Sequence, residues 1–378
     1  MIYADYNATA PLRPEAKDAM LAAMAFGANP SSVHGAGRAA RKVVEHARAQ
    51  VGSAIGAAAE QVIFTSGGTE ANALGLLGAV ADTGKATLLV SAVEHEAVVQ
   101  NAGRAGAHVE TAYVDSDGRL DLDWLSRRMS DWDQTSGTPI LAVMLANNET
   151  GVIQPVSEAA SIMREAGGLT HCDGVQGLGK IPVNVALLGV DYLALSAHKV
   201  GGPQGVGALW YRPGAPLKPV MFGGGQERSL RSGTENLTGI SGFGAACDAA
   251  IRDVTQYQAL HELRDSMEAR LIDEAGVQVM GQGAPRLAGT SCFARAGFRS
   301  ETQVMAMDLA GVAVSAGAAC SSGKVKRSVV LAAMGHDDRL AECAIRTSFG
   351  WNTQPGDFNA VADAWLTAAR RLGLKETA

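Results

Sequence analysis

A lysine follows directly after an apolar run in the stretch LALSAHKVGG, residues 193–202. Because lysine is rarely buried without a partner, Lys199 either extends its amine to solvent or uses it for chemistry. Burial and a neighbouring cation lower the pKa of an amine and prepare it to form a Schiff base. Ser196 and His198 would donate hydrogen bonds to a phosphate beside that amine. The stretch therefore predicts a reactive amine, with a solvent-directed lysine as the alternative.

Two other polar stretches also follow apolar runs. The sequence SGGTE, residues 66–70, begins a helical pattern, and its free backbone N–H groups and glycines form a site that a phosphate can approach closely. The alternative is a turn before a helix that Thr69 caps. Asp173 and Gln176, in HCDGVQ, follow a second run at the sheet edge where ligands of α/β proteins bind. Asp173 is suited to face a cationic ring nitrogen, and the alternative is a helix cap.

A cysteine lies among small residues in SAGAACSSG, residues 315–323. Nothing in this segment is large enough to pack a core, and a cysteine in an exposed loop is available for reaction, whereas a structural cysteine is normally buried. Cys320 is therefore a candidate nucleophile, and the alternative is a surface loop with an incidental thiol. The other cysteines have apolar or strand-like neighbours and are predicted to be inert: Cys172, Cys247, Cys292 and Cys343.

The composition excludes several other classes of protein. Of 378 residues, 47% are hydrophobic and 19% charged, so a large core is expected and disorder is not. The net charge of -6 and the lack of a long Lys/Arg run argue against a nucleic-acid-binding protein. An odd number of scattered cysteines without C-x-x-C indicates neither a disulfide framework nor a zinc site. Without a signal peptide or an apolar run of ~18 residues, we expect a soluble cytoplasmic protein.

The elements that must position these residues alternate between strand and helix. Strands are predicted at 61–64, 86–90, 139–145, 168–172 and 192–195, and helices at 69–80, 95–105 and 156–166. This alternation is typical of a mostly parallel sheet wrapped by helices, an α/β fold. Beyond about residue 255, long helical patterns at 257–274 and 357–372 surround short strands such as 290–294, which predicts a smaller α+β domain.

A phosphate site, a ring-facing carboxylate and a Schiff-base lysine, in that order, meet the requirements of a pyridoxal 5'-phosphate (PLP) site. The chain resembles the cysteine desulfurases of the NifS/IscS type, which are PLP enzymes of fold type I. The matching blocks include ADYNATAPLRPE, FTSGGTEANALG, ANNETGVIQP, HCDGVQGLGKIPVN, SAHKVGGPQGVGALW, SGTENLTGI, SAGAACSS and IRTSFGW. The resemblance implies a large domain, residues 15–254, with a mostly parallel seven-stranded sheet. It also implies a small α+β domain, residues 1–14 and 255–378, that carries the cysteine loop.

The resemblance also implies a role for each site residue. Lys199 would bind the cofactor as a Schiff base, Asp173 would pair with its ring nitrogen, Gln176 would contact its phenolic oxygen, and His95 would stack on the ring and move protons. The phosphate ligands would be Gly68, Thr69, Ser196 and His198. Thr234 would reach the phosphate of a partner subunit, which implies a homodimer. Asn148 and Arg346 would bind the substrate carboxylate, a task that suits a planar guanidinium. Cys320 would be the nucleophile.

The implied reaction removes sulfur from L-cysteine and leaves alanine. The Cys320 thiolate would attack the substrate sulfur and carry it as a persulfide to an acceptor protein. Iron–sulfur cluster assembly, nitrogenase maturation and tRNA thiolation all stay open as destinations. No metal site is predicted, although a transient role of Cys320 as a shared iron–sulfur ligand also stays open.

The chain departs from the family pattern at three places. Lys324-Val325-Lys326-Arg327 precedes Ser328 where an acidic-Pro-Ser sequence is usual, and Tyr6 and Ala10 replace the usual Asn and Thr. Ser328 is predicted to cap a helix at 329–334.

Two other functions stay open. The alternative enzymes are other fold-type I PLP enzymes, such as a selenocysteine lyase or a transaminase. A non-catalytic sulfur-relay protein on the same scaffold is the alternative from another class.

Overall fold

The computed structural model describes residues 1–317 and 328–374, so Cys320 and the basic cluster at 324–327 lie outside the described residues. The strands are β1 Ile2–Tyr3, β2 Val62–Thr65, β3 Ala86–Ser91, β4 His108–Ala112, β5 Thr138–Met144, β6 Leu169–Asp173, β7 Tyr192–Ser196, β8 Gly207–Tyr211, β9 Gln278–Val279, β10 Thr290–Ala294, β11 Val312–Ala313, β12 Ser315–Ala316 and β13 Ala344–Ser348. The helices are α1 Pro14–Met24, α2 Gly35–Ala54, α3 Gly68–Thr83, α4 Glu96–Ala102, α5 Leu122–Ser130, α6 Val156–Glu165, α7 Val185–Leu188, α8 Leu237–Gln258, α9 Leu260–Ala275, α10 Ser300–Leu309, α11 Val329–Ala333, α12 Asp338–Ala341 and α13 Pro355–Arg371.

Seven strands form the central sheet in the order β2-β8-β7-β6-β5-β3-β4. Strands β4, β3, β5, β6 and β7 pair in parallel, whereas β8 is antiparallel to both of its neighbours. The predicted mostly parallel seven-stranded sheet is thus confirmed. Strand β5 lacks polar alternation because both of its faces are buried. Leu141 and Val143 belong to one apolar cluster, and Ile140 and Ala142 belong to a second.

Parallel pairing brings the functional strand ends to one edge of the sheet. In the register of β6 and β7, Asp173 lies opposite Ala194, two residues before β7 ends at Ser196. A short 3₁₀ turn, Ala197–Lys199, follows directly, so the strand end delivers Lys199 to the same edge. This placement is that of ligand sites in α/β sheets, at the carboxyl ends of the strands.

Two glycines permit the close packing behind this edge. A Cβ at Gly207 of β8 would lie 2.5 Å from the carbonyl carbon of Gly67, just before α3 begins. A Cβ at Gly75 of α3 would lie 2.6 Å from Cε1 of the His171 ring on β6. Both distances are shorter than any van der Waals contact, so α3 can lie this close to the sheet only because both positions lack a side chain.

A second sheet and its helices form from the later part of the chain. Strands β12, β13, β10 and β9 pair in that order, and all of these pairings are antiparallel. The buried Trp365 of α13 packs at a ring distance of 5.6 Å from both Phe293 and Phe298. Strand β1 pairs in parallel with β11, so the N-terminal segment joins this later part of the chain. The domain boundaries at 14/15 and 254/255 stay predictions, and the second falls within α8.

The predicted elements agree with the structure where the apolar periodicity is strong. The strands expected at 86–90, 139–145 and 192–195 match β3, β5 and β7 to within a residue. The helix expected at 95–105 ends earlier, at Ala102, and His95 caps its start. Helix α8, whose residues include three glycines and few charges, was not predicted from the sequence pattern. The prediction that Ser328 caps the following helix is confirmed, because its Oγ accepts a hydrogen bond from the Leu331 N–H.

Among the described residues, no helix combines the length and the apolar character that crossing a bilayer requires.

Candidate active site

A cavity of about 680 Å³ opens at the carboxyl edge of the central sheet. Its sheet side is formed by the ends of β6 and β7 and the start of α3. Its opposite side is formed by the N-terminal segment, β12, β13 and α10. The cavity is lined by most of the predicted site residues, namely Gly68, Thr69, His95, Asn148, Asp173, Gln176, Ser196, His198, Lys199 and Arg346. Residues far apart in the chain therefore meet in one place.

Lys199 is largely buried and points its amine into the cavity. Its Nζ donates hydrogen bonds to the backbone oxygens of Asn7, at 2.5 Å, and Ala8, at 2.8 Å. Burial lowers the pKa of this amine to about 8, and the nearby Arg346 lowers it further, whereas Asp5 and Asp173 oppose the change. A free amine is therefore accessible near neutral pH. The solvent-directed lysine that the sequence left open does not form.

Asp173 is the acidic group at the end of β6, and both of its carboxylate oxygens have hydrogen-bond donors. Oδ2 accepts from Asn72 Nδ2 at 2.8 Å, and Oδ1 accepts from the Val175 N–H at 3.0 Å. No helix follows it, so the alternative role as a helix cap is wrong. Burial raises the pKa of Asp173, while His95 and Lys199 work in the opposite direction. A cation bound against Asp173 would favour the ionised carboxylate.

Asp173 fixes the orientation of Asn72, and Asn72 in turn fixes the tautomer of the buried His171. Asn72 must turn its amide nitrogen toward Asp173, so its Oδ1 faces His171 Nε2, 2.8 Å away. His171 Nε2 must therefore carry the proton, and Nδ1 is buried without a hydrogen-bond partner among the described residues. Burial lowers the pKa of His171 to about 3, which keeps the ring neutral. His171, Asn72 and Asp173 thus form a chain of donors that ends on the carboxylate.

The start of α3, beside the same sheet edge, has the features of an anion site. Helix α3 begins at Gly68 with no side-chain cap, so the alternative role of Thr69 as a cap is wrong, and the first N–H groups of the helix are free for a ligand. A Cβ at Gly68 would lie 2.8 Å from Val175 Cγ2, so this cradle admits glycine only. Ser196 and His198 line the same part of the cavity. His198 Nδ1 lies 3.1 Å from Thr9 Oγ1, and burial lowers its pKa to about 4.

His95 stands at the start of α4. Its Nδ1 accepts a hydrogen bond from the Ala97 N–H at 3.0 Å, so the neutral ring carries its proton on Nε2. Its ring lines the cavity together with Asp173 and Lys199. The imidazole is therefore held in one orientation with a proton donor available to a ligand.

Arg346 and Asn148 lie together, as predicted, on the side opposite the sheet edge. Arg346 Nη1 donates to the Asn148 backbone oxygen at 2.9 Å, and Nη2 pairs with Asp5 Oδ1 at 2.7 Å. The Arg346 side chain is buried, and its Nε has no hydrogen-bond partner among the described residues. The planar guanidinium lines the cavity and suits a carboxylate ligand.

Two predicted residues are not brought into this cavity by the described chain. Thr234 is exposed and does not line the cavity, so its contact with the phosphate in a partner subunit stays a prediction. Cys320 lies outside the described residues, although Ser315 and Ala316, shortly before it, line the cavity. The remaining cysteines are buried, as predicted: Cys172, Cys247, Cys292 and Cys343. Burial raises the pKa of Cys172 well above its usual range and that of Cys292 to about 12, which disfavours the reactive thiolate.

Sequence reasoning did not find several polar residues that support the cavity. Asn7 accepts hydrogen bonds from Lys199 and Gln176 through its backbone oxygen. Lys180 donates from behind the cavity to Gln176 and Asn7. Asn72 follows Gly68 by four residues on α3, so helical spacing could have pointed to it. Asn7 and Lys180 have no such local signal, although both lie in sequence blocks that match the family.

The donor set fits the cofactor that the resemblance implies. A PLP group needs an amine for its aldehyde, a carboxylate for its ring nitrogen and N–H donors for its phosphate. Lys199, Asp173 and the start of α3 supply these around one cavity, and the Gly68 cradle leaves the space that a phosphate needs. In the described part of the chain, no group of His, Cys, Asp and Glu side chains has the arrangement of a metal site.

Known proteins resemble this chain over nearly its whole length. The family model described as "Aminotransferase class-V" matches residues 2–361. A protein named "Cysteine desulfurase IscS" from Dictyoglomus turgidum is 40% identical over 375 residues, which cover 96% of this chain and 93% of that protein. A protein named "Cysteine desulfurase" from Cereibacter sphaeroides is 41% identical over 362 residues, covering 93% of this chain and 92% of its own length.

A solved structure extends this similarity to the fold. The X-ray structure of a NifS-like protein from Rickettsia africae superimposes with a TM-score of 0.88 at 30% sequence identity. The match covers 98% of this chain and 99% of the other. The α/β architecture with the seven-stranded sheet is therefore that of fold type I. The chain belongs to the aminotransferase class-V family and, within it, to the cysteine desulfurases of the NifS/IscS type.

Proposed function

We propose that this chain removes sulfur from L-cysteine, with PLP as cofactor, and stores that sulfur as a persulfide on Cys320. The observation that carries the proposal is the meeting of Lys199, Asp173 and Arg346 around one cavity. An amine, a ring-pairing carboxylate and a carboxylate-binding guanidinium are what an amino acid and a pyridoxal group require together. The Cys320 thiolate would form a bond to the substrate sulfur while the carbon–sulfur bond of the substrate breaks. The products are alanine and the protein persulfide, so all atoms of the substrate are accounted for.

Each residue around the cavity would hold one part of the bound groups. Lys199 Nζ would bond to the cofactor, and Asp173 would pair with its ring nitrogen. The N–H groups of Gly68 and Thr69, with Ser196 and His198, would bind its phosphate. Gln176 would donate to the ring oxygen from Nε2. When bound, the cofactor supplies an electron sink that stabilises the carbanion at the substrate α-carbon.

Proton transfer would fall to two groups of the chain itself. The pKa of Lys199, lowered to about 8 by burial, makes Nζ able to take and return a proton near neutral pH. His95 offers its Nε2 proton from a fixed orientation. The guanidinium of Arg346, which lines the cavity, would bind the substrate carboxylate, with Asn148 beside it.

We also propose a setting for this reaction. The chain would act as a homodimer in the cytoplasm, with Thr234 of each subunit reaching the phosphate of the other site. An acceptor protein would take the sulfur from Cys320 for iron–sulfur cluster assembly or for thiolation. The exposure of Thr234 supports the first part of this proposal.

Mass spectrometry of the intact protein and its peptides tests the proposal. After loading with PLP and incubation with L-cysteine, the peptide that carries Cys320 should gain the mass of one sulfur, and free alanine should appear. Cys320→Ser should still bind PLP but gain no sulfur, whereas Cys343→Ser, at a buried thiol, should behave like the unchanged protein. A keto acid as the only product, or sulfur release that persists in Cys320→Ser, would contradict the proposal and favour a transaminase or a lyase.

A further inference from the structure

Lys180 is a second buried amine behind the cavity, and the proposed reaction does not use it. Its side chain is 5% exposed. Its Nζ donates to Gln176 Oε1 at 2.6 Å and to Asn7 Oδ1 at 2.7 Å. Lysine is seldom buried so fully unless its amine has partners, and both partners here are amide oxygens of residues that line the cavity. This arrangement identifies Lys180 as a link between two side chains of the site.

The hydrogen bonds leave each of these amides one orientation. Gln176 Nε2 lies 2.9 Å from the Asn7 backbone oxygen, which can only accept, so Oε1 must face Lys180. Asn7 Nδ2 lies 3.2 Å from the Asn148 backbone oxygen, which can also only accept, so Oδ1 must face Lys180 as well. Two carbonyl oxygens therefore converge on one amine, and Lys180 must donate to both.

The proton count of the amine agrees with this geometry. An uncharged amine has two N–H groups, which matches the two oxygens that it faces. Burial lowers the pKa of Lys180 well below its usual range, and the nearby cations Lys199 and Arg346 lower it further. The uncharged form therefore satisfies both of its donors, whereas the ammonium form has a third donor for which the described residues supply no hydrogen-bond acceptor.

The same network reaches the lysine of the proposed reaction. The Asn7 backbone oxygen accepts from both Gln176 Nε2 and Lys199 Nζ. Lys180 holds the side chain of Asn7 and the side chain of Gln176 at once, so it fixes the position of the oxygen that Lys199 uses. Without Lys180, two buried carbonyl oxygens would lose their donor, and both amides could turn.

We propose that Lys180 is a positioning residue that fixes the orientation of the Gln176 amide and holds Asn7 against Lys199. In that orientation one N–H of Gln176 bonds to the Asn7 backbone oxygen and the second is left for the cofactor. This inference rests on the proposed function, because the cofactor site is that of PLP. Lys180 acts through Gln176 and Asn7 and does not contact the reacting atoms. The residue therefore determines cofactor affinity and environment more than the chemical step itself.

Titration of the apoprotein with PLP tests the inference. Lys180→Met should weaken PLP binding about tenfold or more, because it leaves buried oxygens unpaired, and it should shift the visible absorption maximum of the bound cofactor. Lys180→Gln, which keeps two N–H donors, should retain most of the affinity. Since the effect passes largely through Gln176, Lys180→Met combined with Gln176→Leu should bind PLP scarcely more weakly than Gln176→Leu alone.

A matched control separates positioning from simple destabilisation. Met163→Ala opens the fully buried core under α6 and should lower the midpoint of urea unfolding without moving the absorption maximum. If Lys180→Met binds PLP as tightly as the unchanged protein and with the same maximum, the inference is wrong. If the loss of affinity in Lys180→Met simply adds to that of Gln176→Leu in the double variant, the inference is wrong as well.

The apoprotein alone provides a readout that does not depend on the proposed function. Lys180→Met and Asn7→Leu should reduce the unfolding free energy non-additively, because each removes the same hydrogen bond. An additive result would overturn the inference. If the unchanged protein takes up no PLP at all, the proposed function fails, and this coupling still decides the role of Lys180 between the two side chains.

Discussion

The sheet side of the cavity and the side opposite it hold their polar groups differently. On the sheet side, both oxygens of Asp173 have donors, and Lys199 Nζ has two acceptors. On the opposite side, Arg346 buries an Nε that has no hydrogen-bond partner among the described residues, and Glu149 buries a carboxyl group against Ser328. The residues proposed for chemistry are therefore fixed before a ligand binds, whereas the side proposed for recognition leaves one buried donor unpaired. Preorganisation of the first kind reduces the cost of reaching a reactive geometry.

The strongest test of the sheet side is the loss of its amine. Lys199→Ala should reduce the rate of alanine formation from cysteine at least about 10³-fold, because Lys199 is the only lysine among the described residues that line the cavity. The measurement is alanine release under saturating cysteine. Lys85→Ala, at an exposed lysine whose Nζ contacts the Thr135 backbone oxygen, is the matched control. Undiminished release by Lys199→Ala would remove the chemical role of this side.

A buried acid on the opposite side predicts a pH-dependent stability. Burial raises the pKa of Glu149 to about 7, while the hydrogen bond from Ser328 Oγ and the charge of Arg346 oppose the rise. An acid with a raised pKa binds protons more tightly when folded, so its contribution to stability is lost as the pH rises from about 4.5 to about 7. The loss amounts to about 3 kcal/mol.

Substitution of that acid measures the effect. Glu149→Gln cannot ionise and keeps an oxygen for Ser328, so its stability relative to the unchanged protein should rise by up to about 3 kcal/mol between pH 5 and pH 8. Urea unfolding of the apoproteins at both pH values gives the difference. Glu158→Gln, which replaces an exposed carboxylate of α6, is the matched control. A difference that is independent of pH would show that Glu149 is not a buried acid.

The place of Arg346 on the cavity wall predicts a loss mainly in substrate binding. Arg346→Lys keeps the charge but loses the planar fork that a carboxylate can bind, so the KM for cysteine should rise roughly 10- to 100-fold, with a smaller change in kcat. Steady-state kinetics checks this prediction. The control is Arg286→Lys, at a buried arginine paired with Glu268 away from the cavity. A KM that does not change would mean that the opposite side does not bind the carboxylate.

The smallest expected effect lies in the support of Asp173. Asn72→Ala removes one donor from the carboxylate and leaves His171 Nε2 without an acceptor, so PLP should bind about tenfold more weakly. Fluorescence titration of the apoprotein with PLP measures the change. Asn101→Ala, at an amide that donates to the Ala97 backbone oxygen of α4, should leave the affinity unaltered. Equal affinities for the two variants would show that Asp173 does not need its second donor.

The strands that position the candidate site could be predicted from the amino-acid sequence. Apolar runs without polar alternation predicted buried parallel strands, and Asp173 and Lys199 follow such runs directly. Their placement at one sheet edge then follows from the rule that parallel strands end on the same side. The order of the matching blocks implied the roles that are proposed for His95, Arg346 and Cys320. These features are local, or depend on strand direction alone, and can therefore be obtained from one chain without its coordinates.

The hydrogen bonds that hold these residues in place could be seen only in the folded chain. Lys180 and Asn7 are 173 positions apart, and Gln176 and Asn7 are 169 apart, yet their polar atoms meet within hydrogen-bond distance. The lowered pKa of Lys199 likewise depends on burial and on Arg346, which a distant strand supplies. No local pattern encodes such contacts, because they form only when the N-terminal segment packs against the sheet edge. Hydrogen bonds and pKa values therefore belong to the fold, whereas the identity of the reacting groups belongs to the sequence.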